Sequence, residues 1–387
     1  MTSLSFNFFK TPESLRRGTL ALSVNDRQKI LQTPGCLFYT SRGSVPHLTP
    51  DNFQRLPCEA VHISLEHFLD SMPPPLLGFP HGIHKYLELE NYIVYADVRD
   101  PDATTSAPTN TKHYVSAMTN SGARQVTVNL YSQMINTLSP DICAGLADVL
   151  VENDPTVKRV QKSVERTTRW LDEFLELKKS TTNVFGVLVG SQFVEERRKS
   201  AKEIASRNVQ GFVMHGSKLG RTIKERMDLL KTSIECLPEE KPRLVYGLGS
   251  PVDVLIGISL GIDLFDTSYA FQMTTKGHAL TFVFETHLNL KSQTPNTSTI
   301  NLWEESNANN FGPLMAECNC YSCQSHSRGY IHHLLKTHEM LANVLLMIHN
   351  LHQYTQFFEN IRQSIANGNF HSCSRYFMER YGFAYAN

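Results

Sequence analysis

Short apolar or β-branched runs bounded by turn residues recur along the chain at 60–65, 92–98, 125–130, 147–151, 183–190, 211–216, 243–247 and 261–265. Amphipathic stretches fill several of the gaps. Over 164–177, Val164, Trp170, Leu171, Phe174 and Leu177 fall on one helical face, and 194–207 and 221–237 read the same way. Strands alternating with helices imply a mainly parallel sheet with crossover helices. Eight such strands predict an α/β fold closed as a (β/α)8 TIM barrel over residues 1–300, N-terminal extension included, with an open doubly wound sheet as the alternative. Residues 301–387 then form a C-terminal unit. Within it, 331–365 reads as one long helix with Leu334, Leu335, Leu341, Val344, Leu345, Ile348, Leu351 and Phe358 on a broad apolar stripe.

Barrel chemistry sits at the C-terminal ends of the strands. The eighth run, Gly261-Ile262-Asp263-Leu264-Phe265-Asp266, ends on a carboxylate, which aims Asp266 at the barrel mouth. Val189-Gly190-Ser191-Gln192 puts a flexible turn and an amide at the same rim, and Gly216 and Gly247-Leu248-Gly249 add turns where backbone can approach a planar ligand.

The strongest chemical signal lies beyond the barrel. Cys318-Asn319-Cys320-Tyr321-Ser322-Cys323 places three thiols in six residues, and a C-x-C-x-x-C loop can give a tetrahedral zinc ion three of its four ligands. The fourth must come from outside the loop, where His326, His332, His333, His338, His349 and His352 are on offer. Loop plus helix would be a zinc-binding subdomain. Spacing alone does not favour His349, several turns into the predicted helix, over His326 or His333.

Composition narrows the setting. Cys36, Cys58, Cys143, Cys236 and Cys373 are scattered, which suits a reducing compartment better than a disulfide framework. Residues 1–30 carry acids among their apolar positions and lack the uninterrupted core of a signal peptide, and no apolar run is long enough to span a bilayer, so a soluble protein is expected. With 37 acids and 37 bases there is no global positive field to attract nucleic acid. Local basic clusters occur at Lys158, Arg159, Lys162, Arg166 and Arg169, at Arg197, Arg198, Lys199 and Lys202, and at Lys218, Arg221, Lys224 and Arg226. Each is interleaved with Glu and reads as a solvated helix face with i,i+4 pairs, a phosphate-binding role being the lesser alternative.

Several of these motifs together resemble the tRNA-guanine transglycosylases. The residues that carry the resemblance are Gly261 to Asp266, Glu317 to Cys323, Ser327-Arg328-Gly329-Tyr330-Ile331-His332-His333-Leu334 and His349-Asn350-Leu351. Upstream, Lys241-Pro242-Arg243-Leu244-Val245-Tyr246-Gly247-Leu248-Gly249-Ser250-Pro251 is similar to the family's K-P-R-Y-L-M-G-V-G-x-P stretch, and Gly78-Phe79-Pro80 to Tyr86 to its G-x-H-K-F segment. The resemblance implies a (β/α)8 barrel with a C-terminal zinc subdomain, and one structural Zn2+ held by Cys318, Cys320, Cys323 and His349. It implies a reaction in which an aspartate at the position of Asp266 attacks the ribose C1′ of the wobble nucleotide, with a second carboxylate serving the departing guanine.

The surroundings of Asp266 depart from that pattern. The family's C-V-x-P-T-R-x-A-R is here Thr267-Ser268-Tyr269-Ala270-Phe271-Gln272-Met273-Thr274-Thr275, so both arginines are lost, to Gln272 and Thr275. In place of D-S-G-G-F-Q the chain reads Val98-Arg99-Asp100-Pro101-Asp102-Ala103 after the strand that ends at Asp97; F-D-E-C is replaced around Val151-Glu152-Asn153-Asp154, and G-G-L-A-V-G-E by His215-Gly216-Ser217-Lys218-Leu219-Gly220-Arg221. A carboxylate without its partner, stacking platform and phosphate clamp is not expected to exchange bases. The chain thus resembles the accessory, non-catalytic subunits of the eukaryotic branch, which pair with a catalytic paralogue to exchange guanine for queuine in tRNAs with GUN anticodons. That resemblance implies no catalytic residue, a heterodimer with the catalytic subunit, tRNA bound through the complex, and a homodimer when alone. It also implies a cytoplasmic protein, with peripheral attachment to the mitochondrial outer membrane as an option. The alternative is an active transglycosylase with a rearranged site, Asp266 as nucleophile and Asp97, Asp100, Asp102 or Asp154 as acid/base.

Overall fold

The computed structural model describes residues 3–24, 27–102, 108–150, 154–179, 181–216, 219–286 and 297–383. Eight parallel strands close into a barrel: β1 (Gly35–Tyr39), β2 (Ala60–Ser64), β3 (Ile93–Asp97), β4 (Ile142–Ala144), β5 (Asn183–Leu188), β6 (Gly211–His215), β7 (Arg243–Tyr246) and β8 (Leu264–Asp266). Each pairs with its neighbours in chain order, and β8 returns to β1 with Leu264 opposite Gly35 and Asp266 opposite Leu37. The interior is filled by Leu37, Ile93, Tyr95, Phe185, Val187, Val213, Leu244 and Tyr246, all nearly inaccessible, as expected of a barrel that is a packed core and not a pore.

Helices cover the outside. Their starts are written locally: Thr156 accepts from the Arg159 N–H at the head of Val157–Leu177, Thr222 and Glu225 form a capping box before Ile223–Ile234, and Ser250 with Pro251 opens Pro251–Ser259.

Six of the expected strands are the barrel strands β2, β3 and β5 to β8. Two are not. Residues 125–130 end a hairpin, Val115–Thr119 with Gly122–Val126, and then enter helix Val128–Leu138, which Thr127 caps. The run 147–151 is not a strand over its described residues, and Val151 lies outside them; β4 lies upstream, in the three residues Ile142–Ala144. The other strand absent from the expectation is β1, whose burial on both faces removes any alternation.

The N-terminal extension has a defined role. Strands Ser3–Lys10, Arg16–Val24 and Arg27–Thr33 form an antiparallel sheet whose Leu20, Leu22 and Leu31 join the barrel's interior cluster. It docks on the N-terminal ends of the strands. Arg16 pairs bidentately with buried Asp263 ahead of β8 (2.8 and 3.1 Å), and Lys29 reaches the Tyr92 carbonyl (2.6 Å) and Asp141 (3.1 Å) ahead of β3 and β4. One end of the barrel is thereby closed, leaving the C-terminal mouth open.

Beyond the barrel, the expected helix 331–365 is two helices, Arg328–Lys336 and Met340–Ala366. His338 adopts a left-handed φ of 57° and Glu339 is extended, so the chain turns between them. The longer helix packs on helix Ser268–Thr275 and on β1, with Phe358 against Phe265 of β8. Among the described residues no helix is long and apolar enough to cross a membrane.

Candidate metal centre and barrel mouth

The break at 337–339 lets the long helix fold back over the cysteine loop. Cys320 caps the short helix Tyr321–Ser325 by accepting from the Cys323 N–H, which sets Cys320 and Cys323 side by side. His349 enters from the long helix, with its Nδ1 at 3.3 Å from Cys323 Sγ, 3.5 Å from Cys320 Sγ and 3.7 Å from Cys318 Sγ. All four donor atoms lie within 4.8 Å of one another, and all four residues are buried. No disulfide uses these thiols.

The imidazole is oriented by its other nitrogen. Nε2 lies 2.8 Å from the Leu280 carbonyl, an acceptor only, so Nε2 carries the proton and Nδ1 turns its lone pair to the sulfurs. Asn350 secures the same turn of helix: it accepts from the Leu280 N–H and donates to the His278 carbonyl and Thr274 Oγ. Three thiols and a tautomerically fixed imidazole fit a metal ion that takes soft and borderline ligands.

The other candidate histidines are engaged or distant. His332 hydrogen-bonds the Leu302 carbonyl, His326 stacks on Tyr330, and His333 and His338 are exposed. His352 borders the cluster without joining it.

The mouth also gathers ionisable groups, but each is spent internally. Asp266, 1% exposed, accepts from the Gly247 N–H (2.6 Å) on one oxygen and from the Ser268 N–H (2.8 Å) and hydroxyl on the other. Gly247 has φ of 74°, a conformation that favours glycine and turns its N–H toward the carboxylate. Burial pushes the Asp266 pKa up, against the pull of these three donors.

Of the acids that the alternative reading offers, Asp100 and Asp102 lie near enough to Asp266 for the charges to act on one another. Asp97 closes β3, and Asp100 and Asp102 follow it. Tyr246 donates to Asp97 (2.5 Å), the Val98 N–H takes its other oxygen (2.6 Å), and His215 closes on the same tyrosine hydroxyl. Burial raises the Asp97 pKa and drives that of His215 well down, which keeps the imidazole neutral. Asp100 accepts from the Tyr39 hydroxyl (3.0 Å) and pairs with His67 (2.9 Å), while Asp102 accepts from Gln272 (2.7 Å). Asp154 is exposed on the rim and pairs with Arg221. An open cleft of about 340 Å³ is lined by Asp100 and Asp102 of these acids, with Tyr39, Arg42, His67, Arg99 and Phe271 among others.

Tyr246, His215, Tyr39 and His67 are partners that sequence reasoning missed. Tyr39, His215 and Tyr246 end strands, so the strand-end rule applied to side chains other than acids would have found them. The basic clusters face inward more than expected. Arg159 (2.7 and 2.8 Å) and Arg166 (3.0 Å) converge on the fully buried Asp148, Arg226 pairs with Asp253, and Arg197 is buried against the Leu229 carbonyl and Ser233. Lys218 lies outside the described residues, as do Ala103, Glu152, Asn153 and Ser217 of the altered motifs.

A family profile described as "Queuine tRNA-ribosyltransferase" matches residues 13–382. Proteins named "Queuine tRNA-ribosyltransferase accessory subunit 2" are similar over nearly the whole chain. That of Xenopus tropicalis is 33% identical over 403 residues, covering 94% of this chain and 97% of that protein. The human protein is 33% identical over 373 residues (87% and 89%), and that of Drosophila virilis 34% over 359 residues (88% and 84%). The chain belongs to the queuine tRNA-ribosyltransferase, or tRNA-guanine transglycosylase, family.

Proposed function

We propose that this chain is the non-catalytic subunit of a heterodimeric queuine tRNA-ribosyltransferase. It supports the exchange of guanine for queuine at the wobble position of tRNAs with GUN anticodons while its catalytic partner carries the chemistry. The observation that carries this reading is the state of Asp266, which is buried and whose two oxygens accept three hydrogen bonds from Gly247 and Ser268. A nucleophile must be reachable by the ribose carbon, and a carboxylate 1% exposed and held by three donors is turned inward. Gln272, at the position of a lost arginine, is itself bound to Asp102 and offers no charge to a phosphate.

Cys318, Cys320, Cys323 and His349 hold one structural Zn2+ in this reading, since the set is closed and leaves no position for water. The ion staples the unit of residues 301–387 onto the barrel 1–300 and maintains a docking surface. Phe311 and Met340, about 85% exposed, with Trp303, Tyr321, Tyr330 and Leu341, are exposed apolar side chains that this unit presents for a partner. The chain binds tRNA through the complex, forms a homodimer when alone, and resides in the cytoplasm, with peripheral attachment to the mitochondrial outer membrane.

One experiment tests the core of this. The chain is purified alone and with the catalytic subunit, and incorporation of labelled queuine into tRNA is measured together with mass and zinc content. The expected result is exchange by the complex only, undiminished by Asp266→Asn in this chain. Exchange by the isolated chain that Asp266→Asn abolishes would establish the second reading, a rearranged active site. The proximity of Asp100 and Asp102, whose charges act on one another and on Asp266, favours that alternative.

A further inference from the structure

Arg197, on helix Val194–Ala205, is a buried cation without a counterion. It is 3% exposed. Arg16, Arg159, Arg166 and Arg226 each meet a carboxylate, whereas no carboxylate pairs with Arg197 among the described residues. The acids beside it on the helix are turned elsewhere: Glu195 pairs with Arg198, and Glu196 accepts from Gln161 (3.2 Å). Nε of Arg197 donates to the Leu229 carbonyl (3.1 Å) and Ser233 Oγ (2.9 Å), and Nη1 to the Ser191 carbonyl (3.3 Å). Nη2, also buried, has no partner. Neutral acceptors take up hydrogens and leave the charge whole. Burial pulls the Arg197 pKa down to about 10, so the side chain is still a cation at neutral pH.

The same side chain lines a cavity of about 40 Å³ at the ends of β5 and β6, with Leu188, Val189, Ser191, His215 and Leu219 among its walls. Gly190 makes the close approach of helix and strand end possible. Its φ is 128°, and a side chain there would run into the Arg197 backbone. Ser191 follows with a left-handed φ of 49°, and its N–H donates to no group among the described residues. Its carbonyl holds Nη1, so the outer end of the guanidinium lies beside this wall. The helix opens at Phe193 without a side-chain cap, which adds partial positive charge at the same end.

The cavity has room for roughly three waters or one tetrahedral oxyanion. Water would satisfy Nη2 but could not balance a charge held among Leu188, Val189 and Leu219. His215 narrows the choice of anion. Tyr246 gives its one proton to Asp97, so Nε2 of His215 donates to the tyrosine oxygen and Nδ1 is left an acceptor. A cation with an acceptor in the same wall suits an anion that carries a hydrogen of its own.

We propose that Arg197, Ser191 and His215 form a site for one hydrogen phosphate ion. Its oxygens accept from Nη2 of Arg197 and the Ser191 N–H, and its O–H donates to Nδ1 of His215. The bound ion would tie the loops after β5 and β6 together, whether or not the chain is catalytic.

Full-length protein dialysed free of phosphate is titrated with radiolabelled inorganic phosphate at fixed ionic strength, and bound ion is counted by equilibrium dialysis alongside the melting temperature. One phosphate per chain is expected at saturation, with a melting temperature that climbs as phosphate is added. Arg197→Gln, which removes the charge, should weaken binding by about tenfold or more. Val189→Ile, which adds a methylene to the cavity wall and leaves the arginine in place, should weaken it as well. Sulfate, and a nucleoside 5′-monophosphate whose phosphate is largely without hydrogen near neutrality, should each bind about tenfold more weakly than inorganic phosphate. Absence of saturable binding to the natural protein overturns the proposal. So does binding unchanged in either variant, and Val189→Ile carries the test where Arg197→Gln does not fold. Sulfate or the nucleotide binding as tightly as inorganic phosphate overturns the assignment to the hydrogen phosphate ion.

Discussion

The metal centre and the barrel mouth both assemble donor groups from distant parts of the chain, yet they leave those groups in opposite states. At the metal centre the three sulfurs and Nδ1 of His349 face one another, and the one strong neighbouring acceptor, the Leu280 carbonyl, engages the far side of the ring. At the mouth, Asp266, Asp97, Asp100 and Asp102 each meet hydrogen-bond donors of the protein itself. The first arrangement is incomplete without a ligand, and the second is complete as it stands. Unsatisfied valence, more than the mere presence of reactive residue types, marks where a fold expects a guest.

That contrast can be broken most forcefully at the metal. Structural zinc supplies roughly 10 kcal/mol or more of apparent free energy in small zinc domains. Removing one ligand by Cys320→Ser, or the ion by chelation, should therefore lower the melting temperature by roughly 10 °C. Under the proposed function it should also weaken co-purification with a catalytic subunit. A mutant that melts and co-purifies as before would remove the metal from the argument.

Asp148 offers the next largest effect. Its buried carboxylate answers Arg159 and Arg166, so Asp148→Asn should cost about 3–5 kcal/mol in denaturant unfolding by leaving buried charge without its counterpart. A smaller loss would mean that the rim cations are free to serve another partner.

Asp266→Asn sharpens the comparison from the other side. An amide in place of the carboxylate sets an N–H against one of three donors, at a cost of about 1–3 kcal/mol. The difference should depend on pH in one direction. Burial raises the folded pKa above its unfolded value, so the unfolded chain gives up its proton first. The natural protein then loses stability as pH climbs from the ordinary carboxyl range through the raised value. The asparagine variant does not titrate, so the advantage of the natural protein should be greatest in acid and shrink toward neutrality. A gap that widens with pH would show a carboxylate stabilised as an anion, the state a nucleophile requires.

The smallest effect is expected at the rim. Arg221 and Asp154 are both largely exposed, so Arg221→Ala should change stability by no more than about 0.5 kcal/mol. A larger loss would show that the Arg221–Asp154 pair anchors its part of the mouth.

Much of this was legible beforehand. Six barrel strands could be read because strand runs alternate with amphipathic helices whose caps are local, and Asp266 at the end of β8 follows from the same pattern. The cysteine loop announced itself through spacing. Strands β1 and β4 hid for physical reasons: one is buried on both faces, and the other is three residues long. The N-terminal sheet is written in the sequence as the alternation of Leu4, Phe6 and Phe8 with Ser3, Ser5 and Asn7.

What the chain determined by itself was therefore local: periodicity, caps, and three thiols close enough in sequence to share one ion. Spacing left His349 open among six histidines and only the family resemblance implied it; its meeting with the three sulfurs, and the bonds that engage the acids of the mouth, were decided by the tertiary structure. Both depend on how segments far apart in sequence meet. The turn at His338 folds a helix over the loop, and barrel closure brings β3 and its loop to the same mouth as β8. No one-dimensional pattern records whether a side chain, once there, finds its hydrogen bonds already made.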